Sequence, residues 1–229
     1  MSEQIYIVSD IHGCFKTLKA LLNKLPKNAR LCFVGDLIDR GKDSDKVVEL
    51  VRSGGHLSVL GNHERALLLA KDEFLLDKRV DNPWFNEHGG AQTFATYKGK
   101  NELKLKHIEF LQTLPTYIEF ENFLTADGRK LVVSHSAVGK MWQERHNDKE
   151  TEKFKAHVLS GRSDISENDD IFNIYGHEVM SEPVITKGRA AIDLGGVYRH
   201  LKQDPRICAI AFPSLEIFTQ KMLKDKFSM

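Results

Sequence analysis

Apolar and polar positions along the first third of the chain repeat one pattern three times. Short apolar runs over residues 4–8, 30–34 and 56–60 each end in a polar turn, and apolar residues spaced three and four apart follow. Leucines at 18, 21, 22 and 25 predict a helix over 15–25, and similar spacing predicts helices over 44–52 and 65–76. Strand, turn and helix repeated in this way predict βαβ units with a mostly parallel sheet. Right-handed crossovers would bring all three turns to the carboxyl edge of one sheet, so residues distant in sequence should converge there.

Residues 79–114 are more polar and predict helices, entered at Pro83-Trp84 and broken at Gly89-Gly90. A second β-rich half follows, with strands expected over 116–123, 130–133, 171–175, 189–193, 207–212 and 215–220. Two of them run directly into short polar turns, Ser134-His135-Ser136 and Gly176-His177-Glu178. No linker, low-complexity tract or short-period repeat interrupts the chain, so a single domain over 1–229 is expected.

Composition narrows the functional classes. With 33 basic and 32 acidic residues the net charge is +1, so no global field draws the chain to nucleic acid or to an anionic membrane. Three cysteines without a CxxC pair suit a reducing compartment. The opening residues lack a basic, apolar leader pattern, and no apolar run approaches the ~18–20 residues of a spanning helix. The expected protein is soluble and cytoplasmic.

The polar turns carry the chemistry. Asp10 and His12 flank one residue at a strand end, where period-two geometry can aim both side chains the same way and make half of a divalent-metal site. Alone, Asp-x-His also reads as an ordinary turn. Gly35-Asp36-x-x-Asp39-Arg40-Gly41 is more specific, because two carboxylates and a guanidinium crowded after a buried strand need a metal, a phosphate or each other. Gly61-Asn62-His63-Glu64 adds an amide oxygen able to ligate a hard cation and an imidazole able to move protons. By themselves Asn62 and His63 would read as a helix cap.

Together Asp10-x-His12-Gly13, Gly35-Asp36-x-x-Asp39-Arg40-Gly41 and Gly61-Asn62-His63-Glu64 resemble, in order and spacing, the signature motifs of PPP-type serine/threonine phosphoprotein phosphatases. These belong to the calcineurin-like metallophosphoesterase superfamily. Val133-Ser134-His135 and Tyr175-Gly176-His177 resemble that family's two later histidine motifs. Trp84-Phe85, Gly89-Gly90, Thr93, Tyr97 and Gly161-Arg162 resemble its bacterial and phage branch. The resemblance implies an α/β fold: a metallophosphoesterase-like central β-sandwich of mixed sheets flanked by helices, built partly from βαβ units. It implies that Asp10, His12 and Asp36 hold one divalent metal ion, and that Asp36, Asn62, His135 and His177 hold a second. Manganese is the expected metal, with iron or zinc as alternatives. Arg40 and Arg162 would clamp phosphate oxygens, and His63, oriented by Asp39, would protonate the leaving group. An activated water would attack phosphorus directly, without a phosphoenzyme.

The expected activity is therefore that of a metal-dependent phosphomonoesterase acting on phosphoserine or phosphothreonine in a protein or peptide, with the enzyme a monomer. Symmetrical hydrolysis of dinucleoside polyphosphates is the enzymatic alternative, although that branch usually carries alanine at the position of Asp39. An inactive phosphate-binding module is the non-enzymatic one. Ser9, Ser136-Ala137 and Glu178 depart from the family pattern without removing a ligand, and His88 stands where relatives often carry asparagine. Trp84 and Trp142 read as packing residues, and His56, His107, His146, His157 and His200 as ordinary surface or core histidines. The mixed-charge run 144–153 reads as solvated.

Overall fold

Side chains in β1 (Ile5–Val8) alternate between two faces, yet all four are buried, so the strand needs apolar cover on both sides. The computed structural model, which describes residues 3–78, 81–147, 151–162, 164–198 and 204–223, shows what supplies it. A second sheet covers Ile5 and Ile7, and helices cover Tyr6 and Val8.

The first sheet comprises β1, β2 (Arg30–Phe33), β3 (Leu57–Ser58), β9 (Arg206–Phe212) and β10 (Ile217–Lys221), in the order β10-β9-β1-β2-β3. The neighbours β1, β2 and β3 are parallel, as their βαβ pattern predicts, while β9 runs antiparallel to both β1 and β10. The second sheet contains β4 (Tyr117–Leu124), β5 (Lys130–Ser134), β6 (Ile171–Tyr175), β7 (Val184–Ile185) and β8 (Arg189–Ala191), in the order β4-β5-β6-β8-β7. Here β5, β6 and β8 are parallel and the two outer strands antiparallel.

Between the sheets Ile7, Val34 and Ile210 pack with Leu131, Val133 and Ile174. On the outer face of the first sheet, Val8 and Phe33 meet Leu18 and Leu21 of α1 (Phe15–Leu22) and Val47 and Val51 of α2 (Ser44–Ser53). On the outer face of the second, Val132 and Ile171 pack with Trp142 and with Phe154 and Val158 of α8 (Thr151–Ser160). The result is the expected α/β arrangement, two mixed sheets flanked by helices. No helix among the described residues is long and apolar enough to cross a membrane.

The helix expected over 65–76 begins earlier and is split into α3 (Asn62–Leu69) and α4 (Lys71–Leu75). Glu64 reaches back to accept the Gly61 N–H at 2.9 Å, which caps the helix ahead of Asn62. Ala70, at φ −108°, breaks it. The polar segment after it yields α5 (Pro83–Asn86), α6 (Gly90–Thr96) and α7 (Asn101–Gln112). Arg79, His200 and residues 148–150 of the charged run lie outside the described residues.

Candidate metal centre

The parallel strands determine where the site lies. Asp10 and His12 follow β1, Asp36 follows β2, and Asn62 and His63 open α3 after β3, while His135 and His177 follow β5 and β6. Both sheets thus deliver polar side chains from their carboxyl edges. The edges meet where His135 Nε2 lies 2.8 Å from Asn62 Oδ1 and 3.4 Å from Asp36 Oδ1.

Asp36 stands at the centre, 2% exposed, with its two oxygens facing different neighbours. Oδ1 faces His135, and Oδ2 faces His12 Nε2 at 3.5 Å and His63 Nε2 at 3.8 Å. Two groups of possible ligand atoms, each group within 4.8 Å, share this carboxylate: His12, Asp36 and His63, and Asp36, His135 and His177. Asp10 belongs to neither group and instead accepts the His177 backbone N–H, 3.3 Å from each of its oxygens. His63, expected as a proton donor, is in the first group.

Tautomers are set by the backbone. His12 Nδ1–H donates to the Ile38 carbonyl at 2.9 Å and His135 Nδ1–H to the Val34 carbonyl at 2.8 Å, which leaves a lone pair on each Nε2. Burial holds both imidazoles below their ordinary pKa and so neutral, and burial brings His177 down to about 3. Burial, then the charges of Asp193 and Asp36, push Asp10 well above the usual carboxylate range. Burial would raise Asp36 too, but the neighbouring imidazoles of His135, His63 and His12, of which His63 is the one with a raised pKa, and the His63 backbone N–H at 3.1 Å outweigh it and hold Asp36 below that range.

These features fit a pair of divalent cations. The neutral His135 Nε2 and the Asn62 carbonyl oxygen confront one another with lone pairs at 2.8 Å, a repulsive contact that a shared cation turns into ligation. His177 Nε2 is buried with no hydrogen-bond partner among the described residues. Asp10, Asp36 and Asp193 crowd one buried region, a concentration of carboxylates that a cation would relieve. Mixed imidazole and oxygen donors suit transition metals such as manganese, iron or zinc better than calcium.

Beside the cluster, Asp39 is completely buried and accepts three hydrogen bonds. His63 Nδ1–H and Trp84 Nε1–H donate to Oδ2 at 2.6 and 2.7 Å, and Thr93 Oγ1–H donates to Oδ1 at 2.6 Å. Burial would lower the His63 pKa, but the Asp36 charge and then the Asp39 hydrogen bond raise it above the ordinary value. Arg40 is half-buried, and its Nη1–H donates to His12 Nε2 at 2.6 Å. Arg162 is exposed, yet its charge is felt at His135 and His177. Ser136 ties that segment to the His135 turn by donating its hydroxyl to the Gly161 carbonyl. The exposed His88 ring lies 6.4 Å from that of His63.

Sequence reasoning passed over several residues. Trp84 packs in the core as expected and also donates to Asp39, while Trp142 packs in the core with the Arg145 guanidinium 3.8 Å from its ring centre. Asp193 ends an apolar run just as Asp10 and Asp36 do, a signal that could have marked it. Glu64 accepts the backbone N–H groups of Asp36, Leu37, Ile38 and Gly61 at 2.8–3.2 Å and so fixes the Asp36 turn. Tyr198, whose ring lies beneath Arg40, carries no recognisable sequence signal.

Comparison with known proteins agrees with this geometry. The chain is 26% identical to the asymmetrical bis(5′-nucleosyl)-tetraphosphatase PrpE of Oceanobacillus iheyensis over 98% of this chain and 96% of that protein. It is 33% identical to serine/threonine-protein phosphatase 2 of Salmonella typhimurium, over 58% of this chain and 57% of that one. A solved structure of a candidate diadenosine tetraphosphatase superposes with a TM-score of 0.68 at 20% identity, covering 98% of this chain and 96% of the other, which is a likeness of fold. Residues 4–181 match the calcineurin-like phosphoesterases, and the chain belongs to that family of metallophosphoesterases.

Proposed function

We propose that this phosphoesterase hydrolyses dinucleoside polyphosphates, cutting the phosphate chain off centre into two unequal nucleotides. The hydrolytic reading rests on Asp36, whose two carboxylate oxygens face separate sets of imidazoles. The substrate class is supported by the extent of the likeness. The tetraphosphatase relative matches nearly the whole of both chains, whereas the phosphoprotein phosphatase matches little more than half of each. The phosphoserine or phosphothreonine activity implied by the motifs becomes the second reading. The Asp39–His63 pair favours it, since an alkoxide leaves only with a proton while a nucleotide is a weakly basic leaving group.

In either reading Asp10, His12 and Asp36 hold one cation and Asp36, Asn62, His135 and His177 the other, with manganese the leading metal and iron or zinc the alternatives. When bound, the cations supply Lewis-acid polarisation of the phosphoryl group and lower the pKa of the attacking water. Arg40 and Arg162 bind phosphate oxygens with planar, paired donors. His63 offers a proton from Nε2, and Asp39 holds the opposite ring nitrogen. The deciding experiment compares kcat/KM for diadenosine tetraphosphate and a phosphoserine peptide and identifies the nucleotide products. ATP plus AMP is the expected outcome. Two ADP molecules would establish symmetrical cleavage, and a clear preference for the peptide would restore the phosphoprotein reading.

A further inference from the structure

Arg40 is gripped along its whole length. Its backbone is in the left-handed region at φ 63°, and its N–H donates to the Gly89 carbonyl at 3.3 Å. A Cβ on Gly89 would stand 2.6 Å from Arg40 Cγ, so this turn packs directly on the arginine stem. At the other end, the guanidinium carbon lies 4.8 Å from the centre of the Tyr198 ring. Tyr198 is half-buried, and its N–H donates to the Gly195 carbonyl at 2.9 Å, closing a turn just after Asp193.

An aromatic partner differs from an acidic one in a way that matters for catalysis. A carboxylate would position the guanidinium but would also neutralise it and compete with phosphate for the same N–H donors. A ring face attracts the cation through its quadrupole and leaves those in-plane donors available. Burial raises the phenol pKa, as do the charges of Asp193, Asp36 and Asp10, although Arg40 opposes them. Tyr198 therefore stays neutral and does not become a competing anion.

We propose that Tyr198 is the positioning residue for Arg40, its ring holding the guanidinium beside the metal cluster, where Nη1–H reaches His12 Nε2 and the remaining N–H donors are left for substrate phosphate. This inference rests on the reading of Arg40 as a phosphate clamp. The test uses the full, metal-loaded chain as wild type, Tyr198→Phe, Tyr198→Leu, Arg40→Ala and the Arg40→Ala/Tyr198→Leu double variant. KM and kcat for p-nitrophenyl phosphate, the inhibition constant of inorganic phosphate, and Tm are measured for each. Loss of the stacking contact in Tyr198→Leu should raise the phosphate inhibition constant and KM about five- to tenfold, with a smaller change in kcat. Tyr198→Phe should stay within about twofold of wild type, because the ring is retained. In the Arg40→Ala background, Tyr198→Leu should add nothing. The inference is overturned if Phe loses as much as Leu, if the Leu effect persists without Arg40, or if Leu has no effect while Arg40→Ala weakens phosphate binding. If Arg40→Ala leaves phosphate inhibition unchanged, the clamp reading fails and this inference with it.

Discussion

Replacing Asp39 with asparagine removes one negative charge while leaving a side chain that can still make every contact Asp39 makes. Oδ2 accepts from both His63 and Trp84, so the asparagine carbonyl must occupy that position, since an NH2 group there would confront the Trp84 N–H. The NH2 then faces Thr93, whose hydroxyl can rotate to accept, because it already lies 3.2 Å from the Ser44 hydroxyl and can donate there. Geometry is thus retained, and His63 keeps its orientation. What disappears is the charge assistance to the imidazolium. A hydrogen bond to a charged partner is worth about 1.5–3 kcal/mol and a neutral one about 0.5–1.5. The difference of about 1–2 kcal/mol corresponds to a rate loss of roughly five- to thirtyfold wherever protonation by His63 limits the reaction.

The loss should depend on the leaving group. A serine alkoxide needs the proton, so kcat/KM on a phosphoserine peptide should fall by the full factor. With p-nitrophenyl phosphate or diadenosine tetraphosphate the leaving group is weakly basic, and the change should stay within about threefold. Steady-state kinetics of wild type and Asp39→Asn on the three substrates, with Tm as a folding control, make the comparison. An equal loss on all three would show that Asp39 acts only as scaffold for the His63 loop, and the assignment of His63 as general acid would fall.

Other outcomes follow from the packing. A Cβ at Gly176 would run into Asp10 Oδ1, so Gly176→Ala should weaken metal binding about 10- to 100-fold in a metal titration; an unchanged affinity would place Asp10 outside the metal site. Cys32 and Cys208 are buried, and burial pushes the Cys208 thiol up to about 12, so at pH 8 only Cys14 should react with a thiol reagent before unfolding exposes the others. A second fast thiol in the native protein would contradict this. His107 accepts from the Tyr97 hydroxyl at 2.6 Å and donates to Glu49 at 2.8 Å, which requires the neutral ring. Burial lowers its pKa below 6.5, so its stabilisation is complete above pH 6.5 and fades as pH falls through the folded-state value. The Tm gap between wild type and His107→Ala should accordingly narrow on acidification from pH 7 to 5, and a gap that widens would refute the neutral-ring network.

The donor turns were legible because each follows an apolar run. A strand that is buried on both faces cannot carry Asp10, Asp36, His135 or His177 within it, so their position shortly after β1, β2, β5 and β6 marked both the strands and the candidate site. The meeting of the two sheet edges was not legible in the same way. It depends on inter-sheet packing of residues such as Val34 with Val133 and Ile174, contacts between segments about 100 residues or more apart that no local pattern records. Helix α3 was misplaced for a related reason, since its start is set by Glu64, which capping and the Asp36 turn use together. Tyr198 was missed because a lone tyrosine after a Gly-Gly turn has no distinguishing neighbours.

Backbone conformation supplies the remaining link between fold and chemistry. Among the described residues seven that are not glycine have positive φ, and five of them are His12, Asp36, Asp39, Arg40 and His177. Each such conformation is disfavoured by roughly 1–3 kcal/mol, although Asp and His adopt it more readily than most residue types. For the Asp36–Arg40 turn a compensating set of bonds is visible. Glu64 accepts the N–H groups of Asp36, Leu37 and Ile38, and the Asp39 N–H donates to Ser44 and Thr93 at 3.1 and 3.0 Å. The turn can therefore present Asp36, Asp39 and Arg40 side by side only while Glu64 and Thr93 hold its backbone. Residues that are neither proposed metal ligands nor proposed phosphate clamps thus belong to the site as firmly as those that are, because without them the strained turn would relax and separate the Asp36 carboxylate from the Arg40 guanidinium.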